Sequence, residues 1–286
     1  MTGRIKGRFF AGFLSIVCVA TGVMAETCGG EAAPCKVRSG MYYATVAPKS
    51  DGVKRPVLLF FHGAGGLGTS VLGEKSDFKP FVDAGYVVIG AQGLMRDSQA
   101  FGTGWSFRPE SPQLRDELAY AHEVLDDVVT RFDADRSRVL VSGFSIGGSL
   151  VWYLACKDPG LGAAYAPIAG GFWRPHPVTC KGPIDLLHTH GWRDRTVPLE
   201  GRPLRGGAIR QGDIPEGLQL WRAMDKCAGE RPDVFSTSAE YWIRTWNTCE
   251  TGRQMALALH PGDHDMVPTG WPTLAMAWFA DRLKAR

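Results

Sequence analysis

The chain has 286 residues, of which 44% are hydrophobic and 21% charged, with a formal net charge of +3. That length suits one large α/β domain or two small ones with ample core, and the balance argues against disorder. The first 25 residues hold three Lys/Arg and no Asp/Glu, so without them Lys+Arg falls from 32 to 29 against 29 Asp+Glu, and nothing recommends nucleic acid or an anionic membrane as partner.

Those first residues read as a removable address. Arg4, Lys6 and Arg8 form a basic start, Phe9 to Val23 is an apolar run too short to span a membrane comfortably, and Val23-Met24-Ala25 is a small-residue cleavage site. The mature chain, a single catalytic domain over 26–286, is expected to begin near Glu26. Six cysteines remain after cleavage: Cys28, Cys35, Cys156, Cys180, Cys227 and Cys249. An even number in an exported chain suggests three disulfides, for which 15 pairings exist. Pairing in order, Cys28–Cys35, Cys156–Cys180 and Cys227–Cys249, closes the shortest loops and is the expected set.

After an irregular lead-in from Cys28 to Ser39, Met41 to Val46 reads as an edge strand. Val57-Leu58-Leu59-Phe60-Phe61 reads as a central strand buried on both faces, feeding His62-Gly63-Ala64-Gly65-Gly66. Tyr86 to Ala91 is the next buried strand, followed by a loop with Phe101, Trp105 and Phe107. Leu114 to Phe132 has helical spacing, with Leu118, Ala121, Leu125 and Val128 on one face. Ala163 to Ala169 and Ile184 to His188 are further strands. Leu199 to Pro215 is Gly/Pro-rich and reads as a long loop. Leu218 to Ala228 is helical, Tyr241 to Trp246 and Met255 to Leu259 are strands, and Trp271 to Lys284 is a closing helix. Strands alternating with helices argue for a mostly parallel sheet covered on both faces.

The stretch Arg138 to Cys156 carries the chemistry. Val139-Leu140-Val141 is a buried strand, Gly143-Phe144-Ser145-Ile146-Gly147 fits G-x-S-x-G, and Leu150, Val151, Leu154 and Ala155 follow at helical spacing. A strand, a sharp turn with serine at its tip and a helix form a nucleophile elbow. Ser145 then needs a base and a group that orients the base, in the chain order nucleophile, acid, histidine. Asp194, in His190-Gly191-Trp192-Arg193-Asp194 just past a strand, is the acid. Asp185 lies within a strand and Asp213 in the long loop. His264 is preferred to His260 as the base, because it follows Gly262 on a loop free to reach Ser145. His188 and His190 precede Asp194, the wrong order. The negative oxygen of a tetrahedral intermediate would be met by the backbone N–H of Ile146 and by one from the glycine loop, at Ala64 or else Gly65.

These pieces resemble secreted α/β-hydrolases of the polyhydroxybutyrate depolymerase and feruloyl esterase kind, the LpqC-like esterases among them. The matching parts are the Cys-containing lead-in, His62-Gly63, Arg138 to Gly148, His190-Gly191 with Asp194 and Val197-Pro198, and Gly262 with His264. The resemblance implies an α/β-hydrolase fold and an extracellular or periplasmic serine esterase acting through Ser145, Asp194 and His264. The departure is that Asp265-Met266 follows His264 where relatives carry an early Trp, which bears on substrate fit. Trp105, Trp192 and Trp271 are expected to contribute to an aromatic substrate site. A peptidase of the prolyl oligopeptidase type and a non-catalytic binding protein of the same fold are the rival readings. No nucleotide, flavin or metal motif is present, and no cofactor is expected.

Overall fold

The computed structural model describes residues 1–3, 28–29, 33–47, 52–73, 75–96, 102–108 and 110–286. Apart from residues 1–3, the address segment read at the start of the sequence lies outside the described residues. The first strands are Cys35–Val37 (β1), Gly40–Val46 (β2) and Arg55–Phe61 (β3), followed by a 3₁₀ turn at Gly68–Val71, helix Lys79–Asp83 (α1) and Val87–Ala91 (β4). Leu94–Met95 (β5) and Thr103–Gly104 (β6) pair with each other, ahead of Glu117–Arg131 (α2). Then come Ala134–Phe144 (β7), Ile146–Lys157 (α3), Ala164–Ile168 (β8) and Leu186–Gly191 (β9). Pro203–Leu204 (β10) and Ile209–Arg210 (β11) form a small hairpin before Ile214–Met224 (α4). Val234–Ser238 (β12), Tyr241–Trp246 (β13), Met255–His260 (β14) and Trp271–Lys284 (α5) complete the chain.

Among the described residues, ten strands form one sheet in the order β1-β2-β4-β3-β7-β8-β9-β14-β13-β12. From β4 to β14 every neighbouring pair is parallel, while the outer strands at both margins pair antiparallel. The period-two alternation of strand side chains divides the core between the two faces. Val57, Leu59 and Phe61 of β3 face one side with α2, α3 and α4, and Leu58 and Phe60 face the other with α1 and α5. The run Val57–Phe61 is fully buried because helices cover the sheet on both sides. Helix α2 starts where Asp116 accepts the N–H groups of Leu118 and Ala119, an N-cap that satisfies two otherwise orphaned donors.

Several boundaries differ from the sequence expectations. Met41 to Val46 is not an edge, because the lead-in supplies β1 through a tight turn at Arg38-Ser39. A three-residue strand is too short to show periodicity. The expected loop from Leu199 to Pro215 contains the β10–β11 hairpin, and α4 begins at Ile214 with Asp213 capping it. Strand β12 escaped the sequence reading because all five of its residues are exposed. The structure pairs Cys28 with Cys35, Cys156 with Cys180 and Cys227 with Cys249. No helix among the described residues is long and apolar enough to cross a membrane.

Candidate active site

The site residues lie just past the carboxyl ends of parallel strands, where open α/β sheets place their ligands. Strand β3 ends before His62, β7 before Ser145, β9 before the Asp194 loop and β14 before the His264 loop.

Ser145 directly follows β7 and is the N-cap of α3, with φ 58° and ψ −120°. A non-glycine residue held at positive φ costs on the order of 1–3 kcal/mol. The turn is kept tight by close packing that only glycine permits. A Cβ on Gly147 would lie 2.1 Å from the Phe61 carbonyl oxygen, and one on Gly143 would lie 2.6 Å from that of Gly147. The Ser145 N–H is tied to Ile168 O at the end of β8 (3.0 Å). The elbow therefore presents its side chain at the first turn of α3, whose free N–H groups and positive dipole end favour an anion there.

The acid and the imidazole come from two loops that are laced together. Trp192 N–H donates to His260 O (2.7 Å), Arg193 N–H to Gly262 O (3.0 Å), and Arg193 Nε to Pro261 O (2.7 Å). Arg195 N–H reaches the Asp263 carboxylate at 3.2 Å. Gly191 sits at the crossing, where a Cβ would lie 1.9 Å from Asp263 O. As a result Asp194 Oδ2 and His264 Nδ1 are 2.7 Å apart, with the Asp194 side chain fully buried and that of His264 17% exposed. Asp194 Oδ1 accepts the N–H groups of Thr196 (2.9 Å) and Val197 (2.8 Å). Burial works to raise the Asp194 carboxyl. The hydrogen bonds from His264 and Val197 and the nearby imidazoles outweigh it, leaving the group below the ordinary carboxylate range. Ionised Asp194 then makes Nδ1 of His264 the donor and leaves Nε2 free to accept a proton. The His264 ring packs on Phe144, the residue before Ser145, with centroids 4.5 Å apart. His260 is 2% exposed and accepts Gly262 N–H on Nδ1 (3.2 Å), so that nitrogen is engaged within its own loop. Of the other acids, Asp185 is ion-paired with Arg253 and Arg286, and Asp213 caps α4.

The glycine loop lies against the elbow: a Cβ on Gly63 would be 3.4 Å from Ser145 Cβ. Gly65 N–H is committed to Thr103 O (2.9 Å), which leaves Ala64 as the candidate donor of the pair. His62 accepts Gly93 N–H on Nε2 (3.0 Å), so its Nδ1 carries the hydrogen and donates to Gly63 O (2.7 Å). Burial pushes this imidazole below the ordinary histidine range. It is neutral, and it braces the loop.

Two of the three tryptophans expected to meet substrate are buried. Trp105 is 2% exposed, packs on Phe61 and His62, and donates its indole N–H to His62 O (2.8 Å). It supports the glycine loop from beneath. Trp271 is fully buried beside Phe81 in the core between α1, α5 and the sheet. Only Trp192, 60% exposed and edge-on to Trp242, offers a surface. An open cleft of about 440 Å³ adjoins His264, lined among others by His260, Asp265, Met266 and Glu240. Among the described residues no group of three or more His, Cys, Asp or Glu side chains could hold a metal ion.

Residues 43–204 match the family model of the dienelactone hydrolase family. Among curated proteins, the NocK protein of Nocardia uniformis subsp. tsuyamanensis, named as an esterase, is 30% identical over 152 residues, 51% of this chain and 42% of that one. The bifunctional acetylxylan esterase/xylanase XynS20E of Neocallimastix patriciarum is 22% identical over 218 residues, 72% of this chain and 28% of that one. The matches thus span less than half the length of either curated relative. Among solved structures, an acetyl xylan esterase from Aspergillus awamori superposes with a TM-score of 0.61 at 16% identity, covering 84% of this chain and 93% of that one. An S-formylglutathione hydrolase from Agrobacterium tumefaciens does so with a TM-score of 0.55 at 16% identity, covering 88% and 99%. These likenesses, with the sheet order above, establish the α/β-hydrolase fold.

Proposed function

The chain belongs to the dienelactone hydrolase family, and from that premise we propose that it is an exported serine esterase that cleaves carboxylic esters through an acyl-enzyme on Ser145. The observation that carries the reading is the buried Asp194 carboxylate at 2.7 Å from His264, whose ring packs on Phe144, the residue before a serine held at φ 58°.

In this reading neutral His264 takes the proton from Ser145 Oγ as the oxygen attacks the ester carbonyl. Asp194 fixes the ring orientation and stabilises the imidazolium that forms. The tetrahedral oxyanion accepts the N–H groups of Ile146 and Ala64, each stabilising the transition state by roughly 3 kcal/mol. His264 returns its proton to the departing alkoxide, and a water activated by the same histidine releases the acid. The NocK and XynS20E relatives support an ester substrate. The acetylxylan esterase name of the second favours an acetyl ester of plant-wall polysaccharide over a feruloyl ester or a polyhydroxybutyrate-type polyester. Export is supported by the basic-then-apolar start of the sequence and by three disulfides, which persist in oxidising compartments.

The test is steady-state hydrolysis of p-nitrophenyl acetate by wild type and Ser145→Ala, followed by a panel of acetylated xylan, methyl ferulate, hydroxybutyrate oligomers and a prolyl peptide. The variant is expected to lose kcat by about 10⁴-fold or more. Ester turnover is expected to exceed that of the peptide. Full activity in Ser145→Ala refutes the mechanism, and preference for the peptide replaces the esterase with a peptidase.

A further inference from the structure

Behind the carboxylate lies a second pair of histidines that the triad does not use. His188 and His190, both on β9, are completely buried. His190 Nε2 is 2.7 Å from Val197 O, and a carbonyl oxygen can only accept, so Nε2 carries the hydrogen. Burial pushes His190 down to about 4, against the pull of the Val197 carbonyl and Asp194 that face it and with His264 and His260 adding to the fall. The ring is therefore neutral and its Nδ1 is bare. His188 Nε2 stands 3.0 Å from that Nδ1 and donates to it. Burial, with His190 beside it, also keeps His188 far below the ordinary histidine range. One tautomer of each ring fits these two contacts: the Val197 carbonyl sets that of His190, and the bare His190 Nδ1 sets that of His188.

The contacts close a ring around Asp194. The Val197 N–H donates to Asp194 Oδ1 (2.8 Å), and the Val197 carbonyl accepts from His190. His190 Nε2 itself lies 3.5 Å from Asp194 Oδ2, the oxygen that receives His264. We infer that His190 is a positioning residue: by holding the Val197 carbonyl it fixes the 191–197 loop, so that Asp194 Oδ2 meets His264 in one orientation. The inference rests on the triad reading above. It assigns work to a residue whose place in the chain, ahead of the acid, excludes it from the triad itself.

The experiment compares wild type, His190→Phe, His190→Gln and Asp194→Asn on p-nitrophenyl acetate, with folding checked by thermal melting. His190→Phe is expected to lower kcat about 100-fold, since a misplacement near 1 Å costs that much. KM should stay within about twofold, because binding in the ground state is untouched. Gln can present its amide N–H to Val197 O and is expected to recover kcat to within roughly 10-fold of wild type. The downfield proton of His264 Nδ1–H, seen by NMR in wild type and His190→Gln, should be displaced in His190→Phe. Wild-type kcat with an unmoved proton in His190→Phe, or a Gln variant no better than Phe, overturns the inference while the triad stands. Wild-type kcat in Asp194→Asn removes the triad reading and the inference with it. Should Phe prevent folding, ¹⁵N-edited NMR of the wild type decides: Nε2–H tautomers at both His188 and His190 support the relay, and an Nδ1–H tautomer at His190 refutes it.

Discussion

Replacing Gly191 by alanine adds one methyl group where the Asp194 and His264 loops cross. The backbone there has no positive φ, so the added Cβ brings no conformational strain, only contact. That Cβ would stand 1.9 Å from Asp263 O and 2.9 Å from Gly262 O, whereas real Cβ atoms essentially never approach closer than 3.0 Å. The loops must part by about 1 Å to admit it. Asp263 directly precedes His264, and the Trp192 and Arg193 N–H bonds to His260 O and Gly262 O leave the two loops little independent freedom. The displacement therefore falls on the 2.7 Å contact between His264 and Asp194. A shift of that size is expected to lower kcat about 100-fold with KM little changed. Steady-state kinetics on p-nitrophenyl acetate, with thermal melting to show a folded variant, reads the outcome. A folded Gly191→Ala enzyme with wild-type kcat would refute the claim that the loop crossing sets the triad geometry.

Three further outcomes follow from the packing. Trp105→Phe removes the donor to His62 O and leaves a buried carbonyl unpaired, which should destabilise the fold by about 1–3 kcal/mol in urea unfolding. Because Trp105 is buried, KM should hold within about twofold, and a large rise in KM alone would restore it as a substrate contact. Burial, joined by the neighbouring Asp185, pushes the Asp225 carboxyl up to about 7 against the Ile184 N–H it accepts. The folded state then binds a proton that the unfolded chain has released, so stability falls as pH rises from about 4 through 7, by at most roughly 4 kcal/mol. Asp225→Asn should accordingly be more stable than wild type at pH 8 and close to it at pH 4; an equal gap at both pH values would contradict this. Replacing Cys156 and Cys180 together by serine opens a loop closed over 24 residues and should cost about 3 kcal/mol in the same unfolding assay, whereas an unchanged unfolding midpoint would show that the bridge carries no stability.

Much of this architecture was legible because burial writes itself into apolar runs. The doubly covered strand at Val57–Phe61 is continuous apolar sequence, and the apolar runs Val139–Val141 and Leu150–Ala155 flank the elbow. Tyr241–Trp246 and Trp271–Lys284 have the boundaries that the sequence suggested. Strand β12 was hidden for the opposite reason: it is exposed at the sheet margin, so Val-Phe-Ser-Thr-Ser carries no core-facing pattern. The tryptophans could not be told apart in the sequence because a residue type favoured in ligand sites is equally favoured in cores. Only the three-dimensional packing separates Trp192 from Trp105 and Trp271. The rule of chain order selected Asp194 and His264 but hid His188 and His190. Their contribution runs through the Val197 carbonyl, a backbone contact that side-chain spacing does not encode.

The most direct test of the central claim is the site of covalent labelling by a fluorophosphonate, mapped by peptide mass spectrometry. One adduct is expected, on the peptide carrying Ser145, formed in wild type, abolished in Ser145→Ala and slowed in Asp194→Asn. An unlabelled Ser145, or an adduct on another residue with esterase activity intact in Ser145→Ala, would contradict it.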